Sequence, residues 1–109
     1  MKKPSSLLVL LLSGLGLAAQ SSAPAPCSSA ELAQGSRILV DYCSRCHDWA
    51  QDYDSIMASG VVTPGKVSES LAWIMISSGR MPAEGPAPTA EEQRLLQAWI
   101  EAGAPAPTK

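Results

Sequence analysis

The residues of this chain whose types and spacing could do chemistry are Cys43-Ser44-Arg45-Cys46-His47: two thiols three positions apart, with an imidazole directly after the second. Residues i and i+3 are neighbours on a helix surface, so one turn of helix brings both sulfurs to one side. Each thiol can then form a thioether with one vinyl group of a porphyrin, and the adjacent His47 lies under the ring with a nitrogen available to the iron. This is the spacing of covalent haem attachment. Two other chemistries use part of the pattern. A redox-active Cys-x-x-Cys belongs near a βαβ unit, and zinc needs a fourth ligand of the Cys or His type. The chain has no parallel-strand pattern and no second histidine. The motif therefore predicts one covalently attached haem c, with Cys43 and Cys46 as its attachment points and His47 as an iron ligand.

Helical elements must position these groups. Ser28-Ser29-Ala30-Glu31 reads as a capping box that opens a first helix, and Leu32, Ile38, Leu39 and Tyr42 recur at helical spacing up to Cys43. Gly35 interrupts that stripe at a cost in helix stability, which suggests a second helix crossing too closely for a side chain. From Asp48 to Lys66 there is no sustained period. Ser59-Gly60 and Thr63-Pro64-Gly65 are turn signals, a short helix fits Asp52 to Ala58, and Ile56, Met57, Val61 and Val62 are expected to cover one haem edge. Ser68 is the expected cap of the next helix, with Leu71, Ile74 and Met75 on one face and Trp73 and Ile76 flanking it. Gly79 ends that helix. Pro82, Pro86 and Pro88 predict an extended loop. Thr89-Ala90-Glu91-Glu92 is a second capping box, followed by the apolar face Leu95, Leu96, Trp99 and Ile100, which Gly103 and Pro105 stop. The expected fold is all-α, about three main helices packed around one haem, with no strands and no internal repeat.

With 109 residues the chain allows one domain. Lys2 and Lys3, an apolar stretch from Leu7 to Leu17 and small residues from Ala18 to Ala23 have the pattern of a secretory signal. The expected organisation is a cleavable signal peptide at 1–22, an arm at 23–28, the haem domain at 29–105 and a tail at 106–109. The signal is too short to span a bilayer comfortably. Export fits the motif, since bacterial c-type haem attachment occurs outside the cytoplasm, and for a Gram-negative source the expected location is the periplasm. Cys27 is the odd thiol; Pro24-Ala25-Pro26 before it does not resemble a lipoprotein cleavage site, and the residue reads as incidental to the arm. The formal net charge of −2 becomes −4 without Lys2 and Lys3. That balance carries no basic nucleic-acid footprint and suits a partner protein with a basic docking face.

The combination resembles a small monohaem cytochrome c of class I from about Glu31 to Pro105. The matching stretches are Gly35-Ser36-Arg37-Ile38-Leu39, the haem motif, Gly79-Arg80-Met81-Pro82 and Gln97-Ala98-Trp99-Ile100-Glu101-Ala102-Gly103-Ala104-Pro105. Leu39 stands where that family often has an aromatic residue. The usual Gly-Pro shortly after the haem histidine is absent, which leaves open the carbonyl that orients His47. The resemblance implies that the first and last helices meet at Gly35 and that the Met before Pro, Met81, is the second axial ligand.

Because His47 is the only histidine, the sixth iron position falls to Met, Lys, Tyr, water or nothing. Met75 lies mid-helix among apolar residues, where Met is usually filler, and Met57 is only ten residues past His47. Met81 follows the helix-ending Gly79 and precedes Pro82, which is expected to hold the chain extended. It is the favoured ligand. Arg80 and Trp73 are candidate donors to a haem propionate. Six-coordinate iron offers no site for substrate, so the expected function is one-electron transfer between Fe(II) and Fe(III), without enzymatic activity, as a monomer passing electrons between redox partner proteins. The alternatives are a haem-bearing small subunit or docking module of an exported oxidoreductase, and a gas sensor or peroxidase-like enzyme with an open sixth position.

Overall fold

In the computed structural model, residues 27–107 are described. The expected signal peptide, most of the arm and the last two residues of the tail lie outside them. The described residues form a compact all-α globule without strands: a one-turn helix α1 (Ser29–Leu32), then α2 (Gly35–Cys43), α3 (Tyr53–Ser59), α4 (Leu71–Ser77) and α5 (Ala90–Glu101). Two short 3-10 turns, Asp48–Ala50 and Val67–Glu69, link them. No helix among the described residues is long and apolar enough to cross a membrane.

Both expected capping boxes are present. The Ser28 hydroxyl accepts from the Glu31 amide and the Glu31 carboxylate from the Ser28 amide, and Thr89 and Glu92 repeat the exchange at the start of α5. Each box satisfies two helix-end donors that would otherwise have no intrahelical partner. The first apolar stripe is divided, however, because the chain turns at Ala33 and Gln34 and restarts as α2. Gly35 opens α2 where α5 crosses it. A Cβ on Gly35 would fall within the Trp99 side chain, so the close crossing expected from this glycine is present and its partner is the indole.

Trp99, Leu39, Ile56, Leu96 and Ile100 are fully buried at the centre of the core, each such side chain contributing about 1.5–3 kcal/mol by leaving water. The C-terminal turn is fastened over them. Trp99 Nε1 donates to the Pro105 carbonyl at 2.9 Å and the Tyr53 hydroxyl to the Ala104 carbonyl at 2.8 Å.

Several local expectations change. Four helices of about two turns or more form instead of three, because the short Asp52–Ala58 prospect is a capped helix: the Asp52 side chain accepts from the Ser55 amide, and Gly60 closes the end in the left-handed region at φ 81°. Ser68 does not cap α4. It lies inside the Val67–Glu69 turn, and the buried hydroxyl at the helix entrance is that of Ser70, which donates to the Lys66 carbonyl and accepts from the Thr63 amide, both at 2.9 Å. On α4 the core face is Ala72 and Ile76, whereas Leu71 and Ile74 are 52% and 37% exposed. The chain is not extended at Met81: it bends from Met81 to Gly85 and straightens only from Pro86 to Thr89. The Met81–Pro82 peptide is cis.

Candidate functional site

Cys43 is the last residue of α2, and the helical turn continues just past it. The Cys43 carbonyl accepts from the Cys46 amide at 3.2 Å and the His47 amide at 2.9 Å. These two bonds hold the five-residue motif in one turn and keep both thiols near each other. Cys43 is half-buried and Cys46 exposed. Burial pushes the Cys43 thiol up from its ordinary value, and the neighbouring Cys46 adds to the effect, since a low-dielectric setting disfavours the thiolate.

At His47 the backbone becomes extended, φ −125° and ψ 120°, and leads into the Asp48–Ala50 turn. The imidazole stacks on Trp49, with ring centroids 5.1 Å apart and planes 25° from parallel. That spacing lies in the range where aromatic pairs attract by about 0.5–1.5 kcal/mol beyond their burial. Trp49 itself packs against the core cluster, and Ala50 beside it is fully buried.

The facing wall comes from α4 and the loop after it. Leu71, Ala72, Met75 and Ile76 line the cavity. Gly79 at φ 81° reverses the chain, and the Met81 amide donates to the Met75 carbonyl at 3.0 Å. This bond folds Met81 back toward the end of the helix. The cavity between the walls measures about 650 Å³ and includes Cys43, Cys46, His47 and Met81 in its lining. All four residues singled out from the sequence therefore border one mostly apolar space.

Met75, assigned to packing in the sequence, is also on that wall; Met57 is not, and packs on the core instead. Of the four residues expected to cover a haem edge, only Val61 lines the cavity, because Ile56 and Val62 turn into the core. Neither Arg80 nor Trp73 lines it. The cationic residue in the lining is Arg45, and its guanidinium would lie 3.6 Å from a Cβ on Gly85, so the motif and the Met81 loop meet across the mouth.

Trp49, Tyr42 and Arg45 carry positional roles that sequence reasoning missed. The Tyr42 hydroxyl donates to Glu92 Oε1 at 2.6 Å, and the same oxygen accepts from the Thr89 amide at 2.9 Å. One carboxylate thus caps α5 and ties down a side chain of the cavity wall. These bonds, from Tyr42 first and then Thr89, hold the Glu92 carboxyl below its ordinary value, and the bond to Glu92 pushes the Tyr42 phenol up. The capping box made Glu92 legible; a tyrosine fifty residues away carries no local signal of that pairing. Cys27 stands away from the cavity lining, with Arg94 Nη1 3.5 Å from its sulfur.

Among the described residues, no three His, Cys, Asp or Glu side chains gather as a metal cage. Comparison of the chain with protein-family models, curated proteins and solved structures finds no match.

Proposed function

We propose that this protein is an exported, periplasmic monohaem cytochrome c, similar to class I, that carries one electron between redox partners. The observation that carries the reading is that Cys43, Cys46, His47 and Met81 all line one apolar-walled cavity. The donor set fits the group. Two neighbouring free thiols suit attachment at two vinyls, and an imidazole and a thioether are a ligand pair of cytochromes c. The cavity volume falls within the range of about 300–1,000 Å³ common to cofactor pockets. Leu71 on its wall, half-exposed at 52%, would gain cover from a flat apolar group.

When bound, haem supplies reversible one-electron chemistry at iron. The chain's part is to hold it. Cys43 and Cys46 fix its edge and His47 presents a nitrogen from the motif side. Met81 presents a soft sulfur from the α4 side, which favours Fe(II) and raises the potential. Val61, Leu71, Ala72 and Ile76 keep water from the ring. If His47 and Met81 both bound the iron, no coordination site would be left for a substrate, and the reading is of a carrier and not an enzyme.

Carbon monoxide binding tests it. The reduced wild-type protein should bind the gas poorly and Met81→Ala readily, and the same substitution should remove the weak far-red sulfur-to-iron band of the oxidised form. Tight binding by wild type would replace the carrier with a ligand-binding haem protein. Loss of the band in Met75→Leu but not in Met81→Ala would transfer the ligand role to the other methionine of the wall.

A further inference from the structure

Resting on the haem reading above, we infer that Trp49 is the positioning residue that sets the plane of the His47 ring. The backbone of His47 is fixed on both sides, its amide donating to the Cys43 carbonyl at 2.9 Å and its carbonyl accepting from the Ala50 amide at 3.1 Å. Those bonds determine where the Cα–Cβ bond starts but leave the ring free to rotate about its side-chain torsions. An iron-binding histidine is ordinarily fixed by a hydrogen bond from its second nitrogen to a carboxylate, carbonyl or water. Among the described residues the protein offers the imidazole a different restraint: the Trp49 indole, centroids 5.1 Å apart and 25° from parallel.

An indole can serve only if it is fixed itself. Trp49 sits in the Asp48–Ala50 turn, where the next residue, Ala50, is fully buried, and its own side chain packs against the core cluster while also forming part of the cavity wall. It therefore transmits the position of the core to the imidazole face. The extended His47 leads directly into this tight turn, and the two rings two residues apart lie face to face across it. A flat contact constrains the tilt of the ring and its rotation together.

The plane of an axial imidazole governs how unpaired spin spreads over the porphyrin, so the paramagnetically shifted ring-methyl resonances of the oxidised holoprotein report it directly. Trp49→Leu keeps apolar volume but removes the ring; Trp49→Phe restores a stacking surface. The expected result is a reordered or strongly compressed methyl pattern in Trp49→Leu and a pattern close to wild type in Trp49→Phe, with covalent haem and the far-red sulfur band retained in both. A wild-type pattern in haem-loaded Trp49→Leu would overturn the inference and leave the cytochrome reading standing. Should Trp49→Leu not fold, nuclear Overhauser contacts between the indole and the imidazole in reduced wild type decide: their presence supports the stack and their absence overturns it. A wild-type chain that attaches no haem overturns the cytochrome reading, and this inference with it.

Discussion

The two ends of α2 are built on opposite principles. At its start, Gly35 lets Trp99 approach until indole and backbone touch, and Leu39, Leu96 and Ile100 bury completely around them. At its end, Cys43 is half-buried, Cys46 is exposed, and the helix that faces them lines the cavity with Leu71, Ala72, Met75 and Ile76. The first region is complete in protein side chains. The second presents donors and apolar walls to a cavity. A single short helix thus joins a self-sufficient core to an apolar-walled cavity, and a change in one region should differ in kind from a change in the other.

The sharpest contrast comes from the core. Trp99→Ala should cost about 3–5 kcal/mol in denaturant unfolding, the usual loss for a large aromatic and a large part of the about 5–15 kcal/mol that holds a domain together. Gly35→Val should be similarly severe, because its side chain must displace the indole. Retention of the wild-type midpoint by either variant would break the comparison.

Next in size is the response to removing both proposed haem-attachment thiols. In a Cys43→Ala, Cys46→Ala double variant, hydrogen exchange should leave the α2–α5 crossing as the best protected region, while α4 and the 80–88 loop open first. Uniform protection across both regions would show that the cavity side is as self-sufficient as the core.

A smaller effect distinguishes the two thiols in haem-free protein. Cys46 should be alkylated before Cys43, and the Cys43 rate should rise only at a higher pH than for an ordinary thiol, since burial holds it protonated. Equal rates at every pH would contradict the buried setting of Cys43.

The smallest expected effect is at Tyr42→Phe, which should lower the melting temperature by a few degrees at neutral pH. Glu92 has a depressed folded value, so its bonded carboxylate stabilises the fold above the ordinary 4.5, and that contribution is lost as pH falls through the lower folded value. The gap between wild type and Tyr42→Phe should therefore narrow in acid; a gap that widens would reverse the assignment.

What could be read in advance followed the range of each interaction. Caps depend on residues three apart, so Ser28 with Glu31 and Thr89 with Glu92 were visible. The Gly35 crossing was legible because glycine inside a helical stripe has few other reasons to be there. Met81 was picked out by its neighbours Gly79 and Pro82, although the bend it occupies was not. The face of α4 was misread because every residue from Leu71 to Ile76 is apolar: periodicity cannot choose between a core and a cavity when both accept the same side chains. Trp49 was passed over for a related reason, since an aromatic in a turn signals burial without saying which ring it lies against.

The central claim is that Cys43 and Cys46 are the two attachment points of one haem. Intact-mass measurement of the exported protein, produced with a functional haem-attachment system, tests it most directly. The expected mass is that of the processed chain plus a single haem, resistant to acid–acetone extraction, with neither Cys43 nor Cys46 open to alkylation. A mass equal to the processed chain alone, with both thiols free, would contradict it.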